Sequence, residues 1–203
     1  MLKMTSSRLG AALAAVAAMT PALVLAHAGE GLPHDHGLSA GFVHPFTGLD
    51  HLAAMLAVGL WSALTHQGRR MVAAPLAFAG WLLMGALLGA WMSAAGGSLP
   101  GVEPMVAASV LVLGLVAAAR WKLGASASAA LVSAFAVFHG LAHGSELQGA
   151  SALAGMVAAT VVLHALGLSA GLWLRTLAPL WSRMAGASLA LVGLGLLTRM
   201  VWA

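Results

Sequence analysis

The chain has 203 residues, the length of one domain. It is 61% hydrophobic and 7% charged, whereas a soluble domain carries about 45–50% apolar and about 25% charged residues. Too few polar side chains exist to cover a water-facing surface, which excludes a soluble enzyme, a disordered tail and a coiled coil. Nine basic residues against five acidic ones give a formal charge of +4. The basic residues stand singly or in pairs between apolar runs, not on one face that could grip nucleic acid.

Met1–Ala26 reads as a secretory signal peptide. It has a basic start (Lys3, Arg8), an apolar stretch from Leu9 to Met19, Pro21, and small residues placed for cleavage after Ala26 or Ala28. The alternative, an uncleaved first span, would put the N-terminus in the cytoplasm. After cleavage, seven basic and five acidic residues remain, giving +2, and residues 27–203 form one membrane-embedded domain.

Six apolar runs follow: Pro45–Leu64, Val72–Ala94, Pro104–Ala119, Ala125–Gly144, Ala150–Leu174 and Ala185–Val201. A helix crossing a hydrocarbon core of ~30 Å needs about 20 apolar residues, and none of the runs alternates as a barrel strand would. The expected fold is all-α, a polytopic bundle of six transmembrane helices. With the mature N-terminus outside, Arg69, Arg70, Arg120, Lys122, Arg175 and Arg183 fall in cytoplasmic loops and only Arg199 does not. That is the positive-inside bias, and it sets the expected orientation with the mature N-terminus outside. Trp61, Trp121, Trp173 and Trp181 mark inner helix ends, and Trp91 and Trp202 outer ones. Glycines four apart (Gly85/Gly89, Gly140/Gly144, Gly167/Gly171) suit close helix packing in lipid.

Ionisable groups inside a membrane are expensive and usually functional. Two clusters stand out among nine histidines and five carboxylates. The first is His44-Pro45-Phe46-Thr47-Gly48-Leu49-Asp50-His51. Pro45 suits a first helical position, with His44 just before it, and His44 and His51, seven apart, would share a face. The second is Phe138-His139-Gly140-Leu141-Ala142-His143-Gly144-Ser145-Glu146, where His139, His143 and Glu146 share one face. The first cluster opens a helix that starts outside and the second closes one that ends outside. Asp50 and His139 both lie about six residues, ~9 Å, below the outer boundary. The clusters should therefore meet. Four imidazoles and two carboxylates suit Ni²⁺, Co²⁺ or Zn²⁺, and the chain has no cysteine to bind a softer ion.

These residues resemble the HupE/UreJ family of nickel/cobalt permeases. The family's His, five residues, Asp-His motif is met by His44, Asp50 and His51. Its Phe-His-Gly-x-Ala-x-x-x-Glu motif is met by Phe138, His139, Gly140, Ala142 and Glu146, with His143 at an intervening position. A cleavable signal followed by six spans also matches. The resemblance implies a bacterial inner membrane with the mature N-terminus in the periplasm. It also implies uptake of divalent nickel or cobalt from the periplasm, often for hydrogenase or urease maturation. The metal is then cargo, and no prosthetic group is expected.

Other readings stay open at this level. An intramembrane zinc hydrolase would need three ligands and an activated water, which His139 and His143 could begin to supply, although the HExxH motif is absent. His27, His34 and His36 could collect metal at the mouth or be solvated loop residues. His164, ~21 Å down the fifth helix, could relay metal or bond helix to helix. The donor set does not choose between nickel and cobalt, and the driving force and oligomeric state are not encoded legibly.

Overall fold

The computed structural model describes residues 37–147 and 149–202. The signal segment and His27, His34 and His36 lie outside the described residues. Every described element is helical: α1 (Leu38–Thr47), α2 (Leu49–Thr65), a 3₁₀ turn (Gly68–Val72), α3 (Ala73–Ala94), α4 (Val102–Ala118), α5 (Ala125–Glu146), α6 (Ala150–Leu174) and α7 (Pro179–Trp202). Helices satisfy their own backbone groups, which is what hydrocarbon demands. Gly68–Ala94, α5, α6 and α7 are each long and apolar enough to cross a membrane, and α1 with α2 makes a fifth span if the bent pair counts as one. Helix α4 is apolar but has 17 residues, about 25 Å, shorter than the ~30 Å core.

The first expected span differs from the sequence reading. The helix does not begin at Pro45. It begins at Leu38, carries Pro45 in its interior and breaks at Gly48, so that α1 and α2 meet at 84°. Proline has no N–H for the helix ladder and crowds the preceding turn, and α1 ends two residues later with Thr47 Oγ1 donating to the His44 carbonyl at 2.7 Å. His44 and His51 consequently sit on two helices, not on one face of a single helix. The last span also starts earlier than expected, because Pro179 takes the first position of α7, where its missing N–H does no harm.

Helix α2 is the centre of the bundle. From Met55 to Leu64 every residue but Leu56 is buried, the pattern of a helix surrounded by protein. Trp61 is not an interfacial marker as expected: it is fully buried, and its indole N–H donates to the Trp121 carbonyl at 2.9 Å. The outward faces are apolar, with Leu76, Trp81, Met84, Leu87 and Trp91 exposed along α3 and Leu191 and Leu194 along α7.

Glycine sets how closely the helices approach. A Cβ on Gly140 would strike the Leu82 carbonyl and the Ala86 amide of α3, and Gly85 and Gly89 face α5 backbone in return. The pair α2–α6 meets likewise through Gly59 and Gly167, and α4–α7 through Gly114 and Gly186. Two of the glycine pairs read from sequence thus line the same interface from opposite sides.

Candidate metal site

Helix α5 presents Gly140 and Gly144 to α3, which leaves its other face to His139 and His143, one turn apart. Both imidazoles are fully buried. Helix α2 contributes Asp50 and His51 from its first turn. A single carboxylate oxygen, Asp50 Oδ1, takes hydrogen bonds from the His51 backbone N–H and from His51 Nδ1, each 2.8 Å. Gly48 makes this possible: a Cβ there would lie 2.9 Å from Asp50 Oδ1 and 3.2 Å from His51 Nδ1. Helix α1 brings His44 across the top, where its Nε2 donates to Glu146 Oε2 at 2.8 Å.

The two sequence clusters therefore converge. Ring centroids are 4.9 Å apart for His44 and His143, 4.0 Å for His51 and His143, and 4.8 Å for His51 and His139. One ligand atom each from His44, His143 and Glu146 lies within 4.8 Å of the others. Exposure falls along the row, from 56% at the Glu146 side chain and 31% at His44 to none at His139. The half-exposed pair forms a mouth and the buried imidazoles an interior.

Hydrogen bonding fixes which nitrogens are bare. Ser109 of α4 donates its hydroxyl to the Val106 carbonyl at 2.6 Å, so its oxygen is left to accept from His139 Nε2 at 2.7 Å. His139 then carries its proton on Nε2, and Nδ1 keeps a lone pair. Asp50 likewise accepts from the His51 Nδ1–H and leaves Nε2 bare. His139 Nδ1, His51 Nε2 and both nitrogens of His143 are buried without a hydrogen-bond partner. Leaving a buried polar group unpaired costs about 1–3 kcal/mol. Each of these three imidazoles can present one lone-pair nitrogen, and those of His139 and His51 are oriented by an outer hydroxyl or carboxylate, as metal-binding imidazoles commonly are.

The sequence reading missed two participants. Ser109 sits on a helix that carries neither motif. Phe78 of α3 borders the cluster, its ring 5.6 Å from that of His139 and 5.3 Å from that of His164. His164 is buried as well, and its Nε2 lacks a partner; it touches the same Phe78 ring that touches His139. Glu146 also borders a cavity of about 460 Å³ whose wall includes Glu103.

A family model described as HupE / UreJ protein matches residues 13–196. The chain belongs to the HupE/UreJ family. Among the similar proteins is Protein HupE of Rhizobium leguminosarum bv. viciae, 42% identical over 123 residues, a stretch covering 61% of this chain and 61% of that relative. No solved structure matches the chain. Membership in the HupE/UreJ family agrees with the two motifs that the structure brings into contact.

Proposed function

We propose that this HupE/UreJ chain is a permease that takes up divalent nickel or cobalt from the periplasm across the bacterial inner membrane. Its metal site is built from His44, Asp50, His51, His139, His143 and Glu146, with Asp50 holding the His51 ring. The reading rests on the row of bare imidazole nitrogens leading inward from a half-exposed carboxylate. Glu146 and His44 meet the hydrated ion at the mouth, and breaking their mutual contact frees both as donors. His143 and His51 replace further waters, and His139 completes the buried set. Nitrogen and oxygen donors of this kind suit Ni²⁺ and Co²⁺. The membrane potential favours inward movement of a divalent cation by about 4.6 kcal/mol per 100 mV, which is enough for uptake without further coupling.

The same reading takes six spans with the mature N-terminus periplasmic. It is supported by Arg69, Arg70 and Lys122 gathering around one cavity and by Arg175 binding the His66 carbonyl close by. A hydrolase is disfavoured, because the donors form a continuous row with no group set apart to activate water.

The test is initial ⁶³Ni²⁺ uptake by cells expressing the chain, normalised to inserted protein, with cobalt as competitor. His51→Ala and His143→Ala should abolish uptake. Wild-type rates in both variants would refute the assignment.

A further inference from the structure

A second polar concavity lies at the opposite ends of the ligand-bearing helices. A cavity of about 710 Å³ is lined by Thr65, His66, Arg69, Arg70, Lys122 and Gly124, among others. Its walls are two loops, one joining α2 to α3 and the other α4 to α5. They are clasped together: Trp61 donates to the Trp121 carbonyl at 2.9 Å, His66 Nε2 to the Leu123 carbonyl at 3.2 Å, and Arg175 to the His66 carbonyl. The concavity is therefore held in shape.

Its charge is uncompensated. Three cationic side chains surround it, and among the described residues no carboxylate lines it. Among the described residues the carboxylates are Asp50, Glu103 and Glu146, and all three lie at the histidine cluster or around the outer cavity that Glu146 borders. Both ion pairs found among the described residues are at that cluster too. Helix α5 starts at the cavity wall with no acidic residue in its first turn, which adds the positive end of a 22-residue helix dipole. A positive-inside bias by itself would leave these cations solvated and apart. Here they converge on one hollow.

We propose that this concavity is an anion site that holds a phosphate group, presented by the headgroup of an anionic phospholipid. Two guanidiniums offer paired N–H donors that match phosphate oxygens, and Lys122 adds a point charge. Trp121 and Trp173 are 60% and 56% exposed, as aromatic residues at a headgroup boundary are. Basic hollows between helices on the cytoplasmic side are suited to such headgroups. The site spans Thr65 and His66 at the end of α2 and Gly124 at the start of α5. A phosphate there ties the inner ends of the two helices whose outer parts carry His51, His139 and His143.

The test uses the purified full-length chain in detergent, titrated separately with phosphatidylglycerol, phosphatidylcholine and inorganic phosphate. Binding is read by native mass spectrometry and by the thermal unfolding midpoint. Phosphatidylglycerol should bind and raise the midpoint, and phosphatidylcholine should do neither. Each cation near the surface contributes about five-fold, so Arg69→Gln/Arg70→Gln/Lys122→Gln should weaken phosphatidylglycerol binding about a hundred-fold. Arg69→Lys/Arg70→Lys should restore most of the affinity, and Arg199→Gln, away from the hollow, should change nothing. Should the triple variant fail to fold, an about five-fold loss in Lys122→Gln alone supports the site, and no loss overturns it. Inorganic phosphate displacing phosphatidylglycerol at comparable concentration would support the site and assign free phosphate as its source. Equal affinity for the two lipids, or phosphatidylglycerol binding unaltered in the folded triple variant, would overturn the proposal.

Discussion

Asp50→Asn separates the charge of this carboxylate from its shape. Asp50 Oδ1 accepts two hydrogen bonds from His51, each 2.8 Å. An amide oxygen in the same place keeps both, and with them the tautomer that leaves His51 Nε2 bare. What is lost is the negative charge that strengthens Nε2 as a donor. Outer partners of metal-bound imidazoles contribute about 10–100-fold to metal affinity. The Asp50 side chain is 31% exposed, so solvent screening holds Asp50→Asn near the lower figure, an about ten-fold loss. Asp50→Ala also removes the acceptor, releases the ring and leaves an N–H of the first turn of α2 without its partner; its loss should approach about 100-fold. The assay is equilibrium ⁶³Ni²⁺ binding to the purified full-length protein, with unfolding midpoints measured on the same samples. If Asp50→Asn bound nickel as weakly as His51→Ala, Asp50 would be a direct ligand and not an orienting group. Wild-type affinity in Asp50→Ala would remove it from the site altogether.

Acid should weaken transport: ligation needs neutral imidazole, whose ordinary pKa is about 6.5, so uptake at limiting metal should fall as external pH drops through that value, and a flat profile would argue against histidine control. Gly140→Ala drives a Cβ into α3 backbone and should lower stability by about 1–3 kcal/mol, whereas Gly80→Ala meets nothing within 4 Å and should be neutral or mildly stabilising; equal unfolding midpoints for the two variants would refute the packing argument. A reporter active only in the periplasm should work when fused after Gly97 or Gln148 and fail after Arg70, Lys122 or Pro179, and reversal at any two of these sites would invert the orientation.

Most of the helical layout is legible in the sequence because long apolar runs separated by charged or glycine-rich breaks leave hydrocarbon few alternatives. The meeting of the two clusters is legible for the same reason, since span direction and distance from the boundary fix the depth of Asp50 and His139. The break at Gly48 is not. Pro45 alone favours a first helical position, so the sequence does not show that a helix begins at Leu38 and breaks just after the proline; α1 packs on α6, where Gly155 admits the Leu38 carbonyl. His44 still reaches the cluster, by a route that a seven-residue spacing does not describe. Ser109 and Phe78 escape notice because their roles depend on neighbours from other helices. A serine or a phenylalanine in an apolar run carries no signal of its own.

The glycine seams do not run through the histidine cluster. Helix α2 is locked to α6 and α5 to α3 by backbone contact, while α2 and α5, which supply the buried imidazoles, have little backbone approach to each other. Across that gap the rings themselves are the contact, with His51 and His143 centroids 4.0 Å apart. The bundle is thus joined by backbone contact within each locked pair and by side chains between these two pairs. An ion held by these imidazoles as proposed would therefore pull on the side-chain contacts between the pairs and not on the glycine seams within them.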